Sequence, residues 1–139
     1  MNSMSQHLVY HFKISLLGVY PLVWRRFKVN SKTPLSKFHT IIQCFMGWEH
    51  FHLYKFEYNW ECFEYDGNCS PSTTLDELNM VKGSALHYSY DFGDNWEHTI
   101  ELEKIMPKTK REKIPYCMDG KRACPPEAVS YTHLRAHET

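Results

Sequence analysis

His98, Cys117 and Cys124 are the residues of this chain best suited to metal chemistry. His98 lies in Trp96-Glu97-His98-Thr99-Ile100, where alternation places it on the apolar face of a strand. One imidazole with two or more thiolates suits Zn2+ or another soft-ligand metal. The two cysteines have six residues between them, wider than the two to four of a zinc knuckle, so their spacing adds little. The competing reading is that His98 is a hydrogen-bonded core residue, the commoner fate of an inward imidazole.

A second group is carboxylate and aromatic. Asp91, Asp94 and Glu97 cluster at a hairpin end. Asp94 suits a turn, because Asp bonds its own backbone and tolerates the left-handed region. By parity Asp91 and Glu97 face away from His98. Such carboxylates form either a solvated acidic patch or a site for a cation or basic partner. Trp24 and Arg26 share the outer face of another strand, and Trp with Arg is typical of interface hot spots. Trp96 falls on the inner face. Arg25 also points inward, so its guanidinium needs converging acceptors, a bidentate carboxylate by preference. His50 and His52 flank Phe51 as a histidine pair with chelating spacing.

Catalytic constellations are missing. The chain has no G-x-S-x-G, no Walker A and no G-x-G-x-x-G. Asp91-Phe92-Gly93 lacks the Gly-rich loop, strand lysine and H-R-D loop that a kinase needs. No residue is assigned a catalytic role.

The elements that must position these residues follow from periodicity. Leu8, Tyr10, Phe12, Ile14 and Leu16 alternate with polar residues, as do Val23, Phe27 and Val29, giving two strands around Gly18–Pro21. Thr33-Pro34 opens a helix with Thr as N-cap, and Leu35, Phe38, Ile41, Ile42 and Phe45 form its apolar face. Gly47 ends it. A strand over His52–Tyr58 and a short partner at 63–65 follow. Thr74 with Glu77 makes a capping box. Leu86–Phe92 and Trp96–Leu102 form a late hairpin. Residues 106–113 are a basic linker. This order predicts an α+β fold, a single mixed β-sheet with one main helix in a β-grasp-like (ubiquitin-like) topology.

The chain has 139 residues, 16 Lys+Arg and 16 Asp+Glu, which is one domain's worth of neutral protein. Neutrality makes nucleic acid an improbable partner. No apolar run reaches a membrane span, and no signal peptide opens the chain, so no membrane association is expected. Five cysteines without an export signal read as reduced, hence cytoplasmic.

Four motifs carry a family resemblance: Pro21-Leu22-Val23-Trp24-Arg25-Arg26; Met46-Gly47-Trp48 with His52-Leu53; Tyr90-Asp91-Phe92-Gly93-Asp94-Asn95-Trp96-Glu97-His98; and Cys117-Met118-Asp119-Gly120-Lys121-Arg122-Ala123-Cys124-Pro125-Pro126-Glu127. Together they resemble the plasmid pRiA4b ORF-3-like family, over residues 6–128. The resemblance implies a small bacterial or archaeal protein, often plasmid-borne or near mobile elements. Some family members carry labels of resolvase or repressor. It adds Asp119 and Arg122 as binding candidates, and makes Asp91, Asp119 and Glu127 the candidate partners of Arg25. The family pattern continues beyond Pro-Pro-Glu with another cysteine, which this chain lacks.

Residues 129–139 read VSYTHLRAHET, which matches the in-frame translation of a transposase-type sequencing adapter. The domain is therefore expected over 1–128, with 113–128 a Cys/Pro/Gly-rich segment folded on the sheet and 129–139 a non-native tail. The leading functional expectation is a non-catalytic binding or interaction module, with a protein or small ligand as partner. The alternatives are a Zn-type metal domain or metal-dependent enzyme using His98 and the cysteines, and a DNA-associated accessory factor.

Overall fold

The computed structural model describes residues 7–49, 52–65 and 71–121. Cys124, Arg122, His50 and the 129–139 stretch lie outside them. Among the described residues, seven strands and one α-helix appear in the order β1 (Leu8–Leu16), β2 (Val23–Asn30), α1 (Leu35–Met46), β3 (Tyr54–Tyr58), β4 (Glu61–Tyr65), β5 (Ala85–Tyr90), β6 (Trp96–Pro107) and β7 (Tyr116–Lys121). A short 3-10 helix, Leu75–Leu78, precedes β5. The strands form one sheet ordered β4-β3-β5-β6-β1-β2-β7.

The α+β class and single sheet are as expected, but each ladder runs antiparallel. A β-grasp sets its first and last strands side by side in parallel. Here β1 pairs with β6 antiparallel, Leu16 opposite His98, and β7 joins the far edge of β2. The β-grasp topology is therefore not confirmed. Element order is compatible with several sheet orders, and this one inserts β1 between β2 and β6.

One face of the sheet is dry. Phe12, Ile14, Phe27, Phe56, Tyr88, Trp96 and Ile100 are fully buried there, with Phe38 and Ile42 of α1. Phe38 packs within 5.2 Å of Phe12 and 5.6 Å of Phe56, ring centre to ring centre. The buried face of α1 also includes His39 and Gln43, which apolar periodicity missed. Both reach the Tyr88 hydroxyl, His39 through Nδ1 at 2.6 Å and Gln43 donating from Nε2 at 3.1 Å. The polar atoms satisfy one another, which is why they are tolerated inside.

The helix starts one residue later than its sequence suggests. Pro34 stays extended at φ −67, ψ 151 and bridges Thr74, while the Thr33 hydroxyl donates to the Asn30 carbonyl instead of capping. Gly47 closes α1 in the left-handed region at φ 79, and Trp48 N–H returns to the Gln43 carbonyl at 2.9 Å. Around the 3-10 helix, the Thr74 amide donates to Glu77 Oε1 at 2.9 Å, as the capping-box pattern anticipates. The basic linker is shorter than expected, because β6 runs on to Pro107. The described part of the Cys/Pro/Gly-rich segment also departs from expectation. Tyr116–Lys121 extends the sheet as an edge strand beside β2 and does not lie over a face. Among the described residues, no helix is long and apolar enough to cross a membrane.

Candidate functional site

His98 is fully buried on the core face, as its parity requires. Its Nδ1 lies 3.2 Å from the Tyr88 carbonyl, an acceptor, so the proton sits on Nδ1. Nε2 is buried without a hydrogen-bond partner among the described residues. Trp48 meets the ring edge-on at 5.3 Å and Tyr88 lies at 5.0 Å. Burial pushes the imidazole pKa down to about 3, against smaller opposing effects of the Tyr88 and Trp96 backbone. The structure does not bring His98 to Cys117. β1 and β2 stand between β6 and β7, so the two residues are at least three strand spacings apart, about 14 Å. The Cys117 thiol points to the Asp119 carbonyl at 3.7 Å. Among the described residues, no three His, Cys, Asp or Glu side chains gather as a metal site.

Arg25 does face inward, and two of its contacts among the described residues are backbone carbonyls; Glu127, one of the carboxylates expected, lies outside those residues. Nε donates to the Phe45 carbonyl at 3.1 Å and Nη1 to the Trp24 carbonyl at 2.9 Å. The C-terminal turn of a helix presents unsatisfied carbonyls and partial negative charge, so a guanidinium fits there as well as on a carboxylate. Sequence showed the need for acceptors but not that α1 would end over β2. Arg25 also crosses Gly120 on β7: a Cβ at Gly120 would meet Arg25 Cδ at 2.6 Å and the Trp24 carbonyl oxygen at 2.9 Å. Gly120 is thus the residue that lets β7 pass beneath this side chain. Asp119 is exposed and its Oδ1 accepts the Gly120 amide at 2.8 Å.

The remaining candidates divide between one end of the sheet and its second face. At the end, Asp91 is buried at 8% exposure with φ 63. Its Oδ1 accepts the amides of Gly93 and Asp94 at 3.1 and 3.3 Å. Its Oδ2 lies 3.5 Å from His52 Nε2, and the His52 amide donates to the Tyr90 hydroxyl at 3.3 Å. Asp91 therefore shapes the β5–β6 turn and orients His52, while Asp94 is a turn residue. Trp96 is core, within 5.9 Å of Trp48. The β1–β2 turn ends beside this one, since Leu17 N–H donates to the Glu97 carbonyl at 2.8 Å. Tyr20, Leu22, Leu53 and Phe92 are exposed at the same end.

On the second face, Trp24 lies between two cations, with Lys13 Nζ at 5.2 Å and the Arg26 guanidinium at 5.0 Å from its ring centre. Arg26 Nε donates to Glu103 Oε1 at 2.9 Å. Glu97 accepts Ser89 Oγ at 2.8 Å and meets His87 Nε2. His87, Ser89 and Lys13 escaped sequence reasoning, because they join these groups only through cross-strand register. The signal available was their outward parity.

The chain matches the description of the plasmid pRiA4b ORF-3-like proteins over residues 8–134. It belongs to that family. Among its relatives in the plasmid ORF-3-like family, the uncharacterized protein y4hQ of Sinorhizobium fredii (strain NBRC 101917 / NGR234) is 33% identical over 129 residues. That alignment covers 87% of this chain and 66% of y4hQ, so the chain spans slightly less than two-thirds of that relative. The crystal structure of the protein of unknown function MM3350 from Methanosarcina mazei Go1 superposes with a TM-score of 0.78 at 34% identity. It matches 88% of this chain, which covers 74% of MM3350. Both likenesses are to proteins without an assigned role, so the site geometry must carry any functional reading.

Proposed function

We propose that this plasmid ORF-3-like chain is a non-catalytic binding module that contacts a protein partner through the turn-bearing end of its sheet. One observation carries this reading: the four motif segments, far apart in sequence, converge there. Trp24 and Arg25 lie in the first residues of β2, Trp48 follows α1 and packs against Tyr90 at 5.2 Å, Asp91 and Asn95 shape the β5–β6 turn, and Gly120 lies near the end of β7 under Arg25. The polar motif residues mostly build the end itself. Arg25 holds the Phe45 carbonyl in the last turn of α1, and Asp91 holds turn amides. Large apolar side chains face solvent here, Tyr20 at 83% with Leu22, Leu53 and Phe92 about two-fifths exposed, beside the exposed Asn95 and Glu49. Clustered exposed apolar side chains mark interaction sites more than catalysis. The free thiols of Cys44, Cys62 and Cys117 suit a reducing, cytoplasmic setting.

Selection of phage-displayed peptides on the folded chain tests this. Selected peptides should bind micromolar or tighter. Phe92→Ser and Leu22→Ser should each weaken them about tenfold, the effect of losing roughly 1.4 kcal/mol. Val81→Ser, which removes an exposed apolar side chain at the opposite end, should leave binding unchanged. Peptides indifferent to Phe92→Ser and Leu22→Ser, or no selectable peptide, would overturn the proposal.

A further inference from the structure

Strand β3 starts at Tyr54, opposite Tyr90 and beside the β5–β6 turn, and runs to Tyr58 at the other end of the sheet. There the β3–β4 hairpin borders an open cleft of about 400 Å3. The hairpin lends it Glu57, Asn59 and Trp60, and β5 and β6 lend His87 and Thr99. Register sets Glu57, His87 and Thr99 in one row, on the face opposite the buried Phe56, Tyr88 and Ile100. The cleft is uncovered: Trp60 is fully exposed, Glu57 and Asn59 are exposed, and the His87 side chain is 38% exposed. Two of these residues do nothing for the fold. Trp60 takes the second turn position at φ 73, where Gly is favoured, and its ring is in water. Glu57 has no hydrogen-bond or ion-pair partner among the described residues. Its neighbour Glu97 differs, since it accepts Ser89 Oγ at 2.8 Å and meets His87 Nε2. The Tyr58 hydroxyl is likewise engaged, donating to Ser84 Oγ at 3.3 Å. What remains for a ligand is one carboxylate and one indole, with the side-chain oxygens of Asn59 and Thr99 beside them.

We propose that this cleft binds an arginine side chain of a partner protein, with its guanidinium between the Glu57 carboxylate and the Trp60 indole. Charge selects a cation, because Glu57 is the one formal charge of the cleft not already engaged. Chemistry then selects the guanidinium. It carries five N–H donors and no acceptor, which matches an ionised carboxylate and neighbouring oxygens. It pairs a carboxylate through two parallel bonds, and its plane stacks on an indole. An ammonium is a compact, strongly hydrated charge and gains less from the ring. A neutral ligand leaves Glu57 unpaired, and an anionic one is repelled by it. The turn conformation agrees with this role. A side chain held in an unfavourable backbone region, exposed, at the rim of an open cleft is the pattern of a ligand clamp. The site lies at the far end of the sheet from the clustered motifs and does not depend on the reading given to them.

Titration of the full chain, labelled with nitrogen-15, with the peptide acetyl-Gly-Arg-Gly-amide tests the proposal by NMR. The amides of Glu57, His87 and Thr99 and the Trp60 indole N–H should shift together, with a dissociation constant of about 1–10 mM, as suits so small a ligand. The citrulline peptide keeps the shape without the charge and should bind at least about tenfold more weakly. The lysine peptide should bind at least about threefold more weakly. Glu57→Gln alters an exposed residue, so it keeps the fold, and should weaken the arginine peptide at least about fivefold. Trp60→Gly should weaken it about as much, with thermal melts showing the chain folded. Phe92→Ser should leave the titration unchanged, so failure at the turn-bearing end and failure here are separable. Citrulline or lysine bound as tightly as arginine would overturn the inference. So would arginine binding indifferent to Glu57→Gln or to Trp60→Gly.

Discussion

An imidazole sealed in an aromatic core resists taking the second proton that would charge it. His98 illustrates what parity can and cannot deliver. Its inward direction was legible from Trp96 and Ile100 on either side. Its partner was not, because the Tyr88 carbonyl reaches it only through the β5–β6 register. The consequence is a stability effect with a definite sign. The folded pKa is pushed down to about 3, while the unfolded ring keeps its ordinary value of about 6.5. Above about pH 6.5 neither state takes the proton and the contribution to stability is fully present. As pH falls below 6.5 only the unfolded chain is protonated, so stability drops by about 1.4 kcal/mol per pH unit. By pH 5 the loss from this one residue is about 2 kcal/mol. His11 lies in the same direction, since burial, with Lys28 nearby, also lowers its pKa. Urea denaturation of the parent and of His98→Leu across pH 7.5 to 5 checks this. The variant should show a shallower decline by about one proton. Equal slopes would mean that the folded ring accepts the proton and that His98 is not sealed.

At the scale of elements, the chain mostly follows its local signals, and the β3–β4 hairpin is where it departs from them. Asn59 and Trp60 form its two-residue turn with φ of 52 and 73, both in the left-handed region. Asn is at home there, but the second position of such turns favours Gly. Trp60 carries a large side chain through this conformation while fully exposed, so no buried contact offsets the strain. Trp60→Gly should therefore raise stability by about 0.5–1 kcal/mol in chemical denaturation, the gain in φ outweighing glycine's greater unfolded freedom. A loss of stability would show that the indole makes a contact that holds the hairpin. Elsewhere the legible elements were those with long, regular patterns. β1, β2, α1 and the late hairpin follow from periods of two and of three to four. The start of α1 shifted because Pro34 is drawn into a bridge with Thr74, a tertiary contact. Tyr116–Lys121 was illegible as a strand because it has no alternation. Only the free edge of β2 and the smallness of Gly120 under Arg25 make it one.

The arrangement of the whole molecule follows from one insertion: β1, at the beginning of the chain, occupies the middle of the sheet between β2 and β6. Local patterns could not disclose this, since Leu8–Leu16 reads the same beside any two antiparallel neighbours. It nevertheless decides how the fold coheres. The β1–β6 ladder runs from Leu8 opposite Pro107 to Leu16 opposite His98, joining residues about ninety positions apart. The fully buried Phe12, Ile14 and Leu16 are covered on one side by β6 and on the other by β2. Without β6 the first hairpin and the β3–β5 group share no ladder, and α1 and the pairing of residues 31–36 with the segment around Thr74 remain to link them. β7, in contrast, adds one edge strand to β2 and closes nothing. Truncation should therefore give two different results. A chain ending at Lys113 lacks β7 and should still unfold in one cooperative transition, weakened by lost edge pairing. A chain ending at Asn95 also lacks β6 and should show none, with apolar surface exposed as in a collapsed, loosely packed state. Far-UV circular dichroism and tryptophan fluorescence followed together through urea distinguish the outcomes, because Trp24, Trp48 and Trp60 remain in both chains. A cooperative transition in the chain ending at Asn95 would mean that the first hairpin and α1 form a core by themselves, and that β1 owes its order to β2 alone.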